Sequence, residues 1–289
     1  MGIKVLYWNI DNGETRLRTA LEASPGWDLI AIQEPPISQY TKAPRHTRGS
    51  RYEMVYHSGR AALYVNKRLA RDQWRAEAGP DWACVSIGQG EVETTVFSVY
   101  SEGYKTQNWI TPIAAFARQE PRRRCVFVGD FNAHHPLWDE EDRTLPEAPH
   151  LLRFVEAWDL TLLTPRGEPT HHSKRLGDKD STIDHAWVTP DIRVEYNGAE
   201  DLPGSDHAPQ VITVYGANEA RRPTRQEGWS WAMMDKTLVQ NMAKQLTDPG
   251  EIQTTAELEE ATDRLITELT HIANQAVPKR KPNRGSHVP

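Results

Sequence analysis

The chain has 289 residues, a formal charge of −6 and a negative mean hydropathy. That length holds one large domain or two smaller ones, and its apolar runs fall far short of the ~20 residues a membrane-spanning helix needs. The acidic balance argues against a generic nucleic-acid-binding protein, though not against an enzyme whose carboxylates are offset locally by a cation.

From the N-terminus, short apolar runs bounded by turn residues predict strands over 3–10 and 28–34, with a helix over 14–23 between them. The N-terminus enters its first strand directly, so no signal peptide is expected, and Leu6 stands where a myristoylation signal requires Ser or Thr. Strands over 52–57 and 61–66 follow, joined by the tight link Ser58-Gly59-Arg60. Strands over 83–88 and 93–101 are joined through Gly88-Gln89-Gly90, a second hairpin signal. A helix is expected over 106–119 and a strand over 125–130. The helix over 148–158 carries Leu151, Leu152, Phe154, Val155 and Trp158 at helical spacing. Strands over 182–189 and 209–215 complete the series. Cys84 and Cys125 lie in apolar strand-like runs and read as buried thiols of a reducing compartment. Hairpins mixed with crossover helices predict an α/β (α+β) fold, a four-layered sandwich of two mixed β-sheets flanked by helices.

The character changes after Tyr215. Ala217 to Gly228 is polar and reads as a linker. Trp229 and Trp231 lead into a helical stretch near 233–246, and a second helix is expected over 255–276. Thr254 and Glu257 form a capping box before that helix. Leu258, Ala261, Leu265, Leu269, Ile272 and Ala276 give it one apolar stripe. Beyond Val277 the chain is basic and proline-rich, a composition that favours disorder. The expected organisation is one domain over 1–216 and a helical extension with a basic tail over 217–289.

Polar residues recur where apolar runs end. Asn9 closes IKVLYWN, Glu34 closes DLIAIQE, and Asp130 and Asn132 close CVFVGDFN. Asp184 lies in STIDHAWV, and Asp206-His207 opens SDHAPQVITVY. Polar residues at strand ends converge on one rim of a sheet assembly, where ligands bind. Carboxylates, amides and one imidazole there can hold a hard divalent cation and move a proton, which points to metal-assisted chemistry on a phosphate ester. Gly129 lets the backbone turn before Asp130, and on an extended chain Asp130 and Asn132 share a face. The first only accepts, whereas the second donates and accepts; together they suit a water to be deprotonated and a phosphate oxygen to be held. Pro35 and Pro36 restrain Glu34, the foremost candidate for direct Mg²⁺ ligation. Asp206 and His207 are adjacent and on an extended chain point oppositely, so Asp184 is the better partner for His207, and Asp206 is expected to face the site as a metal or water contact. His134-His135 and His171-His172 admit a zinc reading, but with no cysteine near them they fit better as residues flanking DNA or the catalytic loop.

In this order, WN at Asn9, QE at Glu34, GDFN at Asp130, ID at Asp184 and SDH at His207 resemble the endonuclease/exonuclease/phosphatase (deoxyribonuclease I-like) superfamily over about residues 3–215. GDFNAHHPLW and STIDHAWVT resemble its non-LTR (LINE-type) retrotransposon branch. The resemblance implies that Glu34 is the principal metal ligand with Asn9 beside it, that Asp206 completes the site, and that the cofactor is Mg²⁺ or Mn²⁺. It implies that Asp130 activates a water which Asn132 positions, that Asp184 pairs with His207, and that Tyr100, Asn132 and Thr170 contact DNA phosphate. Tyr100 is followed by Ser101-Glu102-Gly103 where relatives often carry a proline and an asparagine, a departure from the family pattern. The activity implied is a Mg²⁺-dependent nick in one strand of double-stranded DNA, leaving a 3′-hydroxyl that primes reverse transcription. The implied partners are element RNA and a reverse transcriptase in the same polyprotein, of which this chain would be a fragment; no membrane partner is expected, and the action would be nuclear. Alternatives are an abasic-site endonuclease or an inositol-phosphate phosphatase of the same fold and, outside catalysis, a nuclease fold kept for binding alone.

Overall fold

Alternation of apolar residues along each strand sets the layers. In β1 (Ile3–Asn9) Val5 and Tyr7 enter one buried cluster while Leu6 and Trp8 enter another. The same division holds in β2 (Leu29–Gln33), where Leu29 and Ala31 part from Ile30 and Ile32. A two-residue period with both faces apolar is what a strand covered on both sides requires.

The structure, a computed structural model, describes residues 2–23, 26–45, 49–88, 93–103, 124–140, 144, 148–174, 179–202, 204–217, 234–250, 252 and 254–278. The helix expected over 106–119, Trp229, Trp231 and the basic tail lie outside these residues. The chain divides into two units, residues 1–221 and 222–289.

The first unit holds two mixed six-stranded sheets. One has the order β11-β12-β1-β2-β4-β3, completed by β3 (Tyr52–Val55), β4 (Ala61–Asn66), β11 (Ile192–Ala199) and β12 (Gln210–Ala217). The other has the order β5-β6-β7-β8-β10-β9, made of β5 (Trp74–Gly79), β6 (Trp82–Ile87), β7 (Thr94–Tyr100), β8 (Arg124–Asp130), β9 (Thr161–Leu162) and β10 (Asp184–Val188). Each has one central parallel pair, β1 with β2 and β7 with β8; all other pairs are antiparallel. Val5, Leu29, Leu63 and Ile212 of the first sheet pack with Val85, Val96, Val126 and Ala186 of the second, so the sheets face one another. Leu17, Ala20 and Leu21 of α1 (Glu14–Glu22) cover the outer side of the first sheet. Ala148, Leu151 and Phe154 of α2 (Ala148–Ala157) cover the outer side of the second. This is the expected four-layered sandwich. Cys84 and Cys125 are buried and unbonded to each other.

Three strands escaped the sequence reading. β5 reads WRAEAG, in which alanine supplies most of the inward face and gives a weak apolar signal. β9 has only two residues. β11 alternates as Ile192-Arg193-Val194-Glu195-Tyr196, the half-exposed pattern of an edge strand, and that signal was present.

In the second unit, α3 (Lys236–Ala243) is capped by the Asp235 side chain, which accepts from the Leu238 amide at 2.9 Å. α4 (Thr255–Ala276) carries the expected capping box of Thr254 and Glu257. Its apolar stripe is not uniform. Ile272 and Ala276 are buried, whereas Leu258, Leu265 and Leu269 are about half exposed.

Candidate active site

Register builds one half of the site. Tyr100, Asp130 and Asp184 are paired across β7, β8 and β10, in phase with Val96, Val128 and Ala186 of the inter-sheet core. All three are buried. Gly129 matters for more than a turn. Its φ is +136°, and a Cβ there would lie 2.0 Å from the Val99 carbonyl oxygen of the neighbouring strand, so only glycine lets β8 pass β7 this closely.

The first sheet supplies the other half. Asn9, in phase with Val5 and Tyr7, reaches across the sandwich and donates Nδ2 to Asp130 Oδ2 at 2.8 Å. The same amide lies 3.3 Å from Glu34 Oε1, and Asn12 Nδ2 lies 3.3 Å from Glu34 Oε2. His207, entering β12, offers Nδ1 to Asp184 Oδ2 at 2.9 Å and brings Nε2 within 4.0 Å of Asp130 Oδ2. The Trp8 indole donates to the His207 carbonyl at 2.8 Å and fixes that residue from the outer layer.

Two local conformations differ from expectation. Asn132 does not continue an extended chain; its φ is +46°. Its backbone amide donates to Asp130 Oδ1 at 2.9 Å, and its side-chain amide donates to Asp130 Oδ2 at 3.0 Å and the Ser101 carbonyl at 2.8 Å. The two residues meet because the chain folds back on Asp130, a tendency of Asn in turns. Glu34 has φ +47°, although the extended region is favoured before proline. Its amide donates to the Arg60 carbonyl at 2.8 Å and its carbonyl accepts from the Asn12 amide at 2.9 Å, and these bonds hold it there. Such a conformation costs an L residue about 1–2 kcal/mol.

Electrostatics divides the acids and bases. Burial, then the nearby Asp184 carboxylate, pushes Asp130 up to about 7, against the opposite pull of His207 and Asn9. Burial lowers the His207 pKa, but the charge and hydrogen bond of Asp184 outweigh it and lift His207 to about 9. Near neutral pH His207 is therefore an imidazolium beside a carboxylate poised to exchange a proton. Burial, then the charges of Glu34 and Asp130, holds the Tyr100 phenol above its ordinary range, so it stays a neutral hydrogen-bonding group.

The donor set fits a hard divalent cation. Glu34, Asp130 and the Asn9 amide carry oxygen donors, and Asp184 Oδ1 is buried with no hydrogen-bond partner among the described residues. Among the described His, Cys, Asp and Glu residues, Asp130, Asp184 and His207 form the group whose ligand atoms lie within 4.8 Å of one another. A protonated His207 with Nδ1 engaged by Asp184 is a poor ligand, so the oxygens of Glu34 and Asn9 suit a cation better, with Asp130 beside them.

Asp206 and Thr170 lie beside this centre without joining the Asp130 group. Asp206 pairs with Lys174 Nζ at 2.9 Å and His171 Nε2 at 3.7 Å, outside the Asp130 group. Thr170 is fully buried. Its hydroxyl accepts from the amides of Ile183 and Asp184, each at 3.0 Å, and so positions the start of β10. Of the other histidines, His171 lies against His207 with ring centroids 4.7 Å apart, whereas His134 pairs with Asp139 at 3.0 Å and His172 with Asp180 at 2.7 Å. Arg60 was missed. It donates Nη1 to the Tyr100 hydroxyl at 3.0 Å and Nη2 to Glu102 at 2.8 Å. Only the fold brings that hairpin turn beside Tyr100, and no local motif marks it.

The family model described as "Endonuclease-reverse transcriptase" matches residues 94–211. Among solved structures, the endonuclease domain of TRAS1, a telomere-specific non-LTR retrotransposon, is 22% identical with TM-score 0.58, covering 73% of this chain and 98% of that one. A 3′-5′ exonuclease (NExo) from Neisseria meningitidis is 19% identical with TM-score 0.53, covering 73% and 98%. An endonuclease/exonuclease/phosphatase family protein from Leptotrichia buccalis is 12% identical with TM-score 0.50, covering 74% and 99%. No curated protein sequence matches the chain significantly.

Proposed function

We propose that this chain, whose fold is that of the endonuclease/exonuclease/phosphatase superfamily, is a divalent-metal-dependent DNA endonuclease that nicks one strand. The observation that carries the reading is the meeting, between two sheets, of the buried Asp130 carboxylate with the His207 imidazole and the half-buried Glu34 carboxylate. Asp130, with Oδ1 fixed by the Asn132 amide, takes the proton from the attacking water. Asn132 orients that water and a phosphoryl oxygen. His207, held by Asp184 through Nδ1, presents Nε2–H to the charge that develops on phosphorus. Tyr100 donates to a phosphate oxygen. Glu34 with Asn9 would hold a Mg²⁺ or Mn²⁺ ion, which would supply neutralisation of the charge that develops on the phosphate ester. The hydrogen bond from His207 Nδ1 to Asp184, which favours the charged imidazolium, and the burial that raises Asp130's affinity for protons support Asp130 rather than His207 as the base.

The match to a family described as endonuclease-reverse transcriptase and the likeness to a retrotransposon endonuclease support a finer role. In it, the 3′-hydroxyl left by the nick primes copying of element RNA by a reverse transcriptase of the same polyprotein, in the nucleus. No helix among the described residues is long and apolar enough to cross a membrane.

Supercoiled plasmid tests the core of this reading, because a closed circle has no end for an exonuclease or a terminal phosphatase. Open circles that form with Mg²⁺, fail to form in EDTA and fall by ~10²-fold or more in Glu34→Ala are expected. An intact protein that leaves the plasmid supercoiled overturns it.

A further inference from the structure

We propose that Arg60 is a contact for a DNA backbone phosphate, and that Glu102 holds its place until substrate arrives. The inference rests on the endonuclease reading and adds a residue that neither the motifs nor the mechanism above use.

The backbone of Arg60 is fixed on both sides. Its amide donates to Asp81 Oδ1 at 2.8 Å and its carbonyl accepts from the Glu34 amide at 2.8 Å. Gly59 before it has φ +78° and lies against Asp81, where a Cβ would meet Oδ1 at 2.2 Å. The side chain therefore starts from a firm point beside the metal-binding candidate. Its guanidinium lies over the Tyr100 ring, 5.2 Å from the centroid, and joins the Tyr100 hydroxyl to Glu102. Those two bonds use two of its five N–H donors. The Arg60 side chain is 46% exposed and that of Glu102 is 24% exposed.

A cation is needed here. Glu34, Asp130 and Asp184 make the neighbourhood acidic, and a phosphodiester approaching Tyr100 must enter that field. A planar guanidinium matches two phosphate oxygens as it matches a carboxylate. An ion pair this open to solvent is worth little on its own, so a phosphate displaces Glu102 readily. The carboxylate thus competes with the substrate for the same N–H groups.

This predicts opposite signs for the two partners. With supercoiled plasmid as substrate, R60Q raises KM about tenfold, the scale of one lost hydrogen bond to a charged group, and changes kcat far less. It also lowers the slope of log affinity against log salt by about one, since one phosphate contact is gone. R60K restores most of the slope, which separates lost charge from lost fold. E102Q lowers KM. A bridge that merely braced the two sheets would give both R60Q and E102Q the same sign, with lower melting temperatures and an unchanged salt slope, and that result overturns the inference while the wild type still nicks. A wild type that does not nick overturns the endonuclease reading, and this inference with it.

Discussion

Strand for strand, β12-β1-β2-β4-β3 of the first sheet matches β10-β8-β7-β6-β5 of the second, with an antiparallel neighbour, a central parallel pair and a hairpin on the far side. The site residues follow the correspondence. Asn9 ends β1 where Asp130 ends β8, Glu34 follows β2 where Ser101 follows β7, and His207 precedes β12 where Asp184 opens β10. The surroundings differ. Tyr100, Asp130 and Asp184 are sealed, whereas Glu34 is half-buried and left-handed, and the loop after β1 beside it carries two more left-handed residues, Asp11 and Asn12. Burial raises a carboxylate's affinity for protons, and partial exposure leaves one open to a hydrated cation. On the proposed reading, the second sheet supplies the base, Asp130, while the first supplies the metal-binding candidate, Glu34, and the imidazole of His207.

The strongest test removes the proton-handling pair, one residue from each sheet. Asp130→Ala or His207→Ala is expected to slow plasmid nicking by ~10²–10⁴-fold. Near-wild-type rates in both would break the assignment. The pH profile sharpens it. Asp130 acts unprotonated, so the rate climbs as pH rises through about 7, and His207 acts protonated, so the rate falls above about 9. Asp184→Asn removes the charge that lifts His207, and the alkaline limb should move to lower pH.

A smaller effect is expected from Thr170→Val. The change strips the acceptor from two buried amides, at ~1–3 kcal/mol each, so midpoints of urea unfolding should drop. A variant of unchanged stability with weakened DNA affinity would instead make Thr170 a phosphate contact.

The outer layers extend the comparison. Trp8 braces the first sheet's His207 segment, and on the second sheet His185 Nε2 donates to the Thr182 carbonyl at 3.0 Å while Nδ1 accepts from the Trp187 indole at 3.3 Å. That pattern requires the neutral ring, and burial lowers the His185 pKa to about 4. The unfolded chain binds this proton below ~6.5. Stability is therefore full above ~6.5 and declines as pH falls toward about 4, by at most ~3 kcal/mol. His185→Gln should flatten the pH dependence of the melting temperature in that window; an unaltered slope would show that other groups set it.

Much of this arrangement could be read from the chain. The apolar runs placed Asn9, Glu34 and Asp130 at strand ends, because alternation and turn residues are local signals, whereas the strand expected over 182–189 opens two residues later, at Asp184. The partnership of Asp184 with His207 followed from strand geometry that excluded Asp206. What could not be read depends on distant backbone. The left-handed turn at Glu34 is imposed by bonds from Arg60 and Asn12 against its local preference before proline. Arg60 reaches Tyr100 only after two hairpins from different sheets are stacked, and Asp206 turns to Lys174 and His171, which arrive on a separate loop.

The hydrogen bond from Asn9 to Asp130 crosses the gap between the sheets, and this makes the rim a gauge of interlayer slip. The interior beneath it is built of Val, Leu and Ala side chains from both sheets. A void opened there by trimming Val128 or Leu63 would let one layer slide, and a displacement of about 1 Å at the rim can cost ~10²-fold in rate. Lesions deep in the sandwich would then register as slow enzymes well before they register as unfolded ones.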